Sequence, residues 1–472
     1  MAAVLLVHYK PVRFVTVRRN KRAVKTAHAS SEPRKLYLMS LHDDNPALLP
    51  AANSEATPPL AVGWRKMFSA FQHRNYRLFF IGQLISLIGN WVNSTAEGWL
   101  VYQLTGSTAL LGVVAAASTG PMLFLSTWGG WIADRYPKRT VLVITQVVSM
   151  LLSLLLAFLV WSGHVQPWQI IAVAALGGVV MAFDMPARQS FVIEMTSRAD
   201  LPNAIALNSS MVNGARIIGP ALAAVLMARF GMASCYLIDG LSFIAVIIGL
   251  LAMRLPKHVH HPEPGSKLDH ALGGFRYVWN HPRVLTILTL FAVVGIFGWS
   301  YAVLMPAFAR DVLGLGESGY GALLTASGAG ALCGALCVTA ASAKFTPRKL
   351  ALGGVWIFSL MLTLFAMNRN FHLALPLLAG AGFGLMLFLS TSNSALQTSV
   401  PDEMRGRVMG IWALVFGGLT PLGSLEAGVL ARIVGVPLTM IIGAAICAIA
   451  AAVTLAVIHR REQSAARLPS AA

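Results

Sequence analysis

The sequence predicts an all-α polytopic membrane protein, with twelve transmembrane helices in two pseudo-symmetric bundles of six. Three observations lead to this fold class: an apolar composition, a series of long apolar segments, and an internal repeat. Of the 472 residues, 56% are hydrophobic and 11% are charged, whereas soluble domains average about 25% charged residues. A soluble enzyme of this length could not bury so much apolar surface, so a soluble globular fold is disfavoured.

Twelve segments are long and apolar enough to cross a bilayer, whose hydrocarbon core requires about 20 residues of helix. Glycine and proline interrupt several of them, which membrane helices tolerate where neighbouring helices satisfy the freed backbone groups. The predicted spans are 78–103, 108–133, 140–162, 167–186, 204–229, 234–253, 284–307, 317–342, 349–367, 371–393, 406–431 and 436–458.

The longest break between spans, residues 254–283, predicts a cytoplasmic linker between two sets of six. It contains a cluster of His258, His260 and His261. These imidazoles could bind a metal ion, but a solvated linker is the simpler interpretation. The predicted units are an N-terminal bundle over 68–253, a C-terminal bundle over 284–458 and a cytoplasmic tail over 459–472.

Short motifs repeat between the two halves in the same order. Residues 133–139 (ADRYPKR) correspond to 343–349 (AKFTPRK), and residues 187–192 (ARQSFV) correspond to 395–400 (ALQTSV). Such repeats are the construction of many secondary transporters, whose substrate site lies near the membrane midplane between the repeats. The pattern therefore predicts two related bundles around a central cavity.

The basic residues predict the orientation of the chain. The loops after even-numbered spans hold 15 Lys and Arg residues, and the loops after odd-numbered spans hold four. Positive residues concentrate in cytoplasmic loops, so both termini are expected in the cytoplasm. The net charge of +18 therefore reflects topology and a basic N-terminus, and we expect no nucleic-acid partner.

Residues 1–67 form a basic extension that we expect to be disordered. Residues 1–38 carry nine basic residues and one acid, and their apolar stretch is too short for a secretory signal. Three interpretations stay open: an arm that touches anionic lipid, an organelle transit peptide, and translation that starts at Met39.

The loop after the second span carries a distinctive motif. Residues 130–139 (GWIADRYPKR) resemble the loop 2–3 signature of the major facilitator superfamily, with Pro137 in place of the usual glycine. The resemblance implies a cytoplasmic gate in which Asp134 accepts from the N-terminus of the eleventh helix and Lys138 pairs with Asp184. The plainer interpretation is that the basic residues only mark the cytoplasmic face. The expected gate residues are Gly130, Asp134, Arg135, Lys138, Arg139 and Asp184.

Further segments resemble one branch of that superfamily, the branch that contains the enterobactin exporter and the transmembrane secretion effectors. They are 183–189 (FDMPARQ), 203–209 (NAIALNS), 216–221 (RIIGPA) and 401–407 (PDEMRGR). The resemblance covers about residues 68–458 and implies a proton-driven exporter of a small amphipathic molecule, such as a drug, a siderophore or a metabolite. It also implies a bacterial inner-membrane location. We further expect a monomer with no cofactor and no metal.

Two alternatives to export stay open: an uptake symporter on the same fold, and a non-transporting membrane receptor. No catalytic constellation lies on one aqueous face, so an enzyme is not expected. The pair Gly219 and Pro220 in span five is similar to an antiporter signature, although alanines replace its other glycines. Pro220 is expected to free a carbonyl and bend the helix.

Four ionisable residues fall well inside predicted spans, where a charge costs about 2.5–3.5 kcal/mol. Glu97 shares a helix face with Asn90 and Asn93, which we expect to line the cavity, and it is the expected proton carrier because burial favours the protonated form of a carboxylate. Arg216 requires an acid or several carbonyls, and modulates Glu97 or contacts a substrate anion. Two carboxylates stay open between proton coupling and a structural role: Asp239, for which a static helix–helix hydrogen bond is favoured, and Glu426.

Five tryptophans could form an apolar substrate wall, although interfacial and packing roles are more common for this residue. They are Trp91, Trp99, Trp128, Trp299 and Trp412. Four cysteines lie in apolar runs and are expected to be small buried side chains rather than metal ligands.

Overall fold

The computed structural model describes residues 68–197, 200–254 and 267–466, and every structural statement below concerns these ranges. The described chain is helical and contains no β-strand. The basic extension up to residue 67, the linker segment 255–266 with its histidine cluster, and residues 467–472 lie outside the described residues.

Each predicted span corresponds to one long helix. A short 3-10 helix, Ser69–Gln72, precedes the first of them. The long helices, with one additional helix between the halves (α7), are α1 Arg74–Thr105, α2 Thr108–Arg135, α3 Lys138–Trp161, α4 Pro167–Met195, α5 Leu201–Phe230, α6 Met232–Ala252, α7 Lys267–Asn280, α8 Pro282–Val312, α9 Glu317–Ala341, α10 Pro347–Met367, α11 Phe371–Ser399, α12 Asp402–Val434 and α13 Val436–Ala466.

Within the described chain, eleven helices are long and apolar enough to cross a membrane, and α1 completes the predicted twelve. With 32 residues, α1 is about 48 Å long at 1.5 Å per residue. Its amides, including Gln83, Asn90 and Asn93, make it less apolar than the others. The most polar span is thus also one that lines the central cavity.

Glycine and proline explain several helix ends. Gly106 follows α1 with a φ of 59° and donates its N–H to the carbonyl of Tyr102, at 2.8 Å. Gly435 follows α12 with a φ of 87°, a conformation that glycine adopts without steric cost. Proline occupies the first position of α4, α8 and α10, where its missing N–H would have no helical partner.

Several helices extend beyond their predicted ends. Helix α4 ends at Met195 rather than at residue 186, and α11 ends at Ser399 rather than at 393. Apolarity detects only the part of a helix that lies in hydrocarbon, and a helix continues past it while its polar residues face water. As a consequence, Asp184 lies about three turns inside α4 rather than at its end.

Successive long helices that correspond to the predicted spans run in opposite directions between two faces of the molecule. We call "terminal face" the face where α1 begins and α13 ends, and "opposite face" the other. In the first half, α1 packs on α5 and α6, and α2 packs on α4; in the second, α9 and α10 pack on α11. The halves meet where α2 packs on α12 and α5 packs on α9, two interfaces that the internal repeat relates to each other.

The predicted linker contains a helix that sequence reasoning did not predict. Helix α7 packs against α12, with Gly274 close to the Arg407 side chain and with Val278 buried. The linker of residues 254–283 therefore includes a helix, and its cytoplasmic location stays a prediction.

Helix α8 is interrupted by two π-helical segments, Val294–Gly298 and Phe308–Val312. Segments of this type are rare among protein helices, and those that occur are often found at functional sites. The first segment directly precedes Trp299, and the second contains Arg310 and Asp311. All three side chains contact the first half of the molecule, as described below.

Candidate functional site

A cavity of about 280 Å³ lies between the two halves. Helices α1, α2 and α5 line it from the first half, and α8 and α9 line it from the second. Its polar and aromatic lining side chains are Trp91, Ser94, Thr95, Glu97, Ser118, Arg216, Trp299, Tyr301, Tyr320 and Ser327. The cavity thus combines one acid, one base and four aromatic rings at the interface of the repeats.

Arg216 lies in this cavity among aromatic rings. Its guanidinium carbon is 5.4 Å from the ring centroid of Trp299 and 5.9 Å from that of Trp91. No carboxylate of the described residues lies within ion-pair distance of it. The expectation of an acid or several carbonyls was therefore wrong, because cation–π contacts with one indole from each half take their place.

The three residues of the expected polar face of α1 lie in different environments. Asn93 donates to Oδ2 of Asp239 at 2.6 Å, and Ser153 donates to the same oxygen at 2.9 Å. Asn90 is exposed and donates to the carbonyl of Ser86, at 3.0 Å. Of the three predicted residues Glu97 lines the cavity, a cavity role for Asn90 stays a prediction, and Asn93 is bonded to Asp239 instead. Close packing of α1 on α6 explains this, because it turns Asn93 towards Asp239.

Asp239 is 1% exposed and is held by the hydrogen bonds expected of a structural carboxylate between helices. Its second oxygen, Oδ1, has no hydrogen-bond partner in the described part of the chain. Glu426 is half-buried on α12 and is not among the residues that line the cavity. Whether either residue takes part in proton coupling stays a prediction.

Gly219 and Pro220 bring three helices together beside the cavity. A Cβ at Gly219 would lie 2.3 Å from Cβ of Trp91, so only glycine permits this approach of α5 to α1. Pro220 lacks the N–H that would bond the carbonyl of Arg216 four residues earlier. A Cβ at Gly328 of α9 would lie 2.9 Å from that carbonyl oxygen, so the freed carbonyl faces the second half.

At the opposite face, side chains of α1 bond directly to the second half. Trp99 donates from Nε1 to Glu317 at 3.2 Å, and its ring stacks on Tyr320 with centroids 5.4 Å apart. The Tyr102 hydroxyl donates to Asp311, and Arg310 lies over the Tyr102 ring. We call this set of contacts the opposite-face gate. Sequence reasoning missed it, although two acids, Asp311 and Glu317, beside the short loop between α8 and α9 were a usable signal.

The contact between α2 and α12 is tight near the opposite face. A Cβ at Gly112 would lie 2.4 Å from the Ser424 carbonyl oxygen, and Thr108 donates to the carbonyl of Gly428 at 3.0 Å. Eighteen residues are five turns of helix, so Gly130 lies on the same face of α2 as Gly112. A Cβ at Gly130 would meet no heavy atom within 4 Å.

Helix α12, which packs against α2, also contacts its neighbour at one end and not at the other. Gly410 lies five turns before Gly428 on α12, and a Cβ there would also meet nothing within 4 Å. Helices α5 and α9 pack tightly at Ala224 and Gly321, whereas Ala206, five turns earlier on α5, is exposed. Both pairs of helices therefore separate towards the terminal face.

The predicted terminal-face gate is only partly as expected. Asp134 and Arg135 are exposed in the last turn of α2, and Arg135 lies over the Trp131 ring at 5.4 Å. Lys138 pairs with Glu194 and not with Asp184, so that expectation was wrong. The reason is the extra length of α4, which carries Glu194 to the helix end beside Lys138.

Asp184 instead forms a network inside the first half. It pairs with Arg188 one turn later and accepts from Thr145 and Gln146, both at 2.8 Å. Arg139 donates to the carbonyl of Leu251 at 2.7 Å, at the C-terminus of α6, where a cation is favourable. These contacts stabilise the first half as a rigid unit, and the gating role of Asp134 stays a prediction.

The five tryptophans occupy different places. Trp91 and Trp299 line the cavity and Trp99 belongs to the opposite-face gate, whereas Trp412 stacks on Phe291 with centroids 3.5 Å apart. Trp128 is 65% exposed. Two of the five thus line the cavity, and Trp412 has the packing role that is more common for this residue. Cys333 is exposed rather than buried, because it lies on an outer face of α9.

Two six-helix halves around a central cavity, closed by side chains at one face and separated at the other, define a membrane transporter of the major facilitator type. The chain belongs to the transmembrane secretion effector family, whose model matches residues 65–472.

Curated relatives resemble the chain over most of their length. The Staphyloferrin A transporter of Staphylococcus aureus is 25% identical, over 76% of this chain and 90% of the relative. The multidrug efflux pump Tap of Mycolicibacterium fortuitum is 28% identical, over 77% and 91%. The enterobactin exporter EntS of Shigella flexneri is 26% identical, over 78% and 92%.

Solved structures with the same fold are also transporters. A bacterial homologue of the lysosomal transporter Spinster, in an inward-facing and occupied conformation, gives a TM-score of 0.66 at 14% identity, over 82% of this chain and 97% of that one. The nucleoside transporter NupG gives 0.68 at 13% identity, over 81% and 99%. At these identities the likeness concerns the fold alone.

Proposed function

We propose that the chain is a secondary exporter that moves a small amphipathic molecule out of a bacterial cell in exchange for protons. One observation carries this proposal: among the residues that line the cavity between the halves, Glu97 is the one acid. Relatives that are named as a siderophore exporter and a multidrug efflux pump support the direction of transport.

The distribution of positive charge supports the orientation. The terminal face bears the loops with 15 of the 19 basic residues that lie between spans, so by the positive-inside rule it faces the cytoplasm, with both termini. The membrane is then the bacterial inner membrane. In this orientation the halves are separated towards the cytoplasm and joined at the outside.

The proposed cycle uses the two ends of the interface in alternation. Substrate enters from the cytoplasm while Trp99, Tyr102 and their acidic partners hold the outer side shut. The halves then rock, so that the outer contacts break and the terminal ends of α2 and α12, with the motif around Asp134, approach each other. Repeats that rock around a fixed central site are the usual construction of such transporters.

Glu97 is the proposed proton carrier. A carboxylate inside a transmembrane segment is costly when ionised, and such residues commonly belong to proton relays. Glu97 lies between the central cavity and the opposite-face gate, so a proton from outside would reach it once the gate opens. Release towards the cytoplasm would then follow when the terminal face opens.

Inverted membrane vesicles with an acidic lumen test this function. With enterobactin and a small aromatic carboxylate as probes, we expect the protein to accumulate one of them and to dissipate the pH gradient as it does so. We expect Glu97→Gln to lose the proton flux, because the amide cannot carry a proton, and Glu426→Gln to keep it, because Glu426 lies outside the cavity.

The alternatives give different results in the same vesicles. An uptake symporter would expel the probe together with protons, since the lumen corresponds to the outside of the cell. A receptor would move neither, and Asp134→Asn would leave its activity intact. Full proton-coupled accumulation by Glu97→Gln would refute the assignment of the carrier.

A further inference from the structure

The central cavity contains a permanent cation, Arg216, that no described carboxylate approaches within ion-pair distance. We infer that the cavity binds an organic anion, a carboxylate on a small apolar or aromatic body, through the guanidinium of Arg216. The inference rests on the proposed function, because it takes this cavity as the substrate site. It adds to that function the chemical class of the substrate.

The position of Arg216 is the first argument. It lies at the midpoint of α5, where a charge is expensive unless it meets a partner or a water-filled cavity. Arginine cannot shed its charge, and its guanidinium carries five N–H donors. No described carboxylate lies within ion-pair distance, so these donors are available to a ligand.

The surroundings of the guanidinium are the second argument. The indoles of Trp91 and Trp299 stabilise the cation through their ring faces. These contacts do not supply hydrogen-bond acceptors for the N–H groups at the edge of the guanidinium. A carboxylate can take two parallel N–H bonds from the edge of a guanidinium, and this is among the strongest polar contacts in proteins. The geometry therefore provides for a bidentate anion.

The remaining lining limits the body of the ligand. Apolar surface comes from Trp91, Trp299, Tyr301 and Leu324. The cavity volume of about 280 Å³ is slightly below the range of ligand pockets, about 300–1,000 Å³, so the ligand is small. A cationic substrate would lie beside Arg216 and be repelled. Ionised Glu97 would repel an anion, so it weakens binding and favours release.

An anion also suits the proposed direction of transport. The inside-negative membrane potential acts on any charge that crosses the bilayer and pulls an anion outwards. Export of a carboxylate is therefore favoured by the potential in addition to any coupled proton.

Calorimetric titration of the detergent-purified full chain tests the inference with three probes of one shape: naphthoate, naphthamide and naphthylmethylammonium. We expect naphthoate to bind at least about tenfold more tightly than naphthamide, which corresponds to about 1.4 kcal/mol, and the ammonium to bind most weakly. This comparison needs only the unmodified protein, so it does not depend on a variant that folds.

Variants then assign the preference to Arg216. We expect Arg216→Gln to reduce naphthoate binding to the level of naphthamide, and Arg216→Lys to restore part of it. Arg229→Gln, which removes an exposed arginine at the end of the same helix, should leave it unchanged. Glu97→Gln should strengthen naphthoate binding, because it removes a repulsive charge.

Three results would overturn the inference: equal binding of naphthoate and naphthamide, tightest binding of the ammonium, or a carboxylate preference that survives in Arg216→Gln. Absence of naphthoate binding at millimolar concentration would also contradict it. Calorimetry measures binding and the vesicles measure proton-driven export, so failure of this inference is distinguishable from failure of the proposed function.

Discussion

The two ends of the interface between α2 and α12 differ although both are lined by glycine. At the opposite face, Gly112 and Gly428 bring the helix backbones into contact. Five turns away, Gly130 and Gly410 lie on the same helix faces, and a Cβ at either would meet no heavy atom within 4 Å. Glycine thus permits close contact of the two helices at one end of the interface and leaves room for such a contact at the other end.

This difference indicates that the two halves are in contact near the opposite face and diverge towards the terminal face. Within the first half, contacts at the terminal face stay closed: Tyr76 donates to the carbonyl of Ala204 at 3.0 Å, and Arg139 bonds the end of α6. Separation at that face occurs between the halves and not within them. A rocking motion about the cavity would close one end as it opens the other.

The largest effect is expected from glycine substitutions at the two ends. Gly112→Leu would force its side chain against Ser424, at a cost of about 1–3 kcal/mol, so we expect the closed opposite face to be lost together with transport. Gly130→Leu should leave this conformation and its thermal stability unchanged, because the site is open, but should block closure of the terminal face.

A thiol-accessibility measurement distinguishes the effects of the two variants. Single cysteines are introduced into a cysteine-free background and their reaction with a membrane-impermeant thiol reagent is followed. Gly112→Leu should expose the cavity to the outer side, and Gly130→Leu should hold it open to the cytoplasm. If both variants open the same side, the two ends are not alternatives of one motion.

A smaller effect is expected at the opposite-face gate. Tyr102→Phe removes a hydrogen bond to the exposed Asp311 carboxylate, which is worth about 1 kcal/mol after allowance for solvent. We expect outward accessibility of the cavity to rise about fivefold, with an equal change in Asp311→Ala, which removes the acceptor, and little further change in the double variant. Additive effects would show that the two residues do not act as a pair.

The smallest effect is expected at a contact that both conformations share. Hydrogen bonds from Ser69, His73 and Ser197 lower the pKa of Asp200 from 3.8 to about 2. Its contribution to stability is therefore present above pH 3.8 and is lost as the pH falls towards 2. We expect Asp200→Asn to lower the Tm slightly at about pH 6, and less at about pH 3.

Because Asp200 joins the start of α5 to the segment before α1, this change should not alter the balance between inward and outward conformations. Thiol accessibility of the cavity in Asp200→Asn serves as the control. A change in accessibility would show that the first half is not a rigid unit.

The helices could be predicted from the sequence because a bilayer imposes length and apolarity on every span. The ends of the helices could not be predicted, because α4 continues beyond residue 186, where its apolar segment ends. For this reason Asp184 was predicted as the partner of Lys138, whereas the partner is Glu194. The π segments of α8 leave no mark in apolarity and were missed for a similar reason.

The site was predicted in part. Glu97 and Arg216 stood out because charges inside spans are rare, and both line the cavity. The partners of Arg216 and the pairs that join Trp99 to Glu317 and Tyr102 to Asp311 depend on how the halves meet. Contacts between residues more than 200 positions apart have no local pattern in a single sequence.

Pulsed electron paramagnetic resonance across both faces tests the central claim most directly. One pair of spin labels would replace Tyr136 and Glu403 at the terminal face, and a second pair would replace Leu104 and Ser318 at the opposite face. All four positions are exposed, and the native cysteines would be replaced by alanine. On acidification with substrate absent, we predict a second population in which the terminal pair is closer and the opposite pair is farther apart. Distances that stay fixed at both faces, or that lengthen together, would contradict the account.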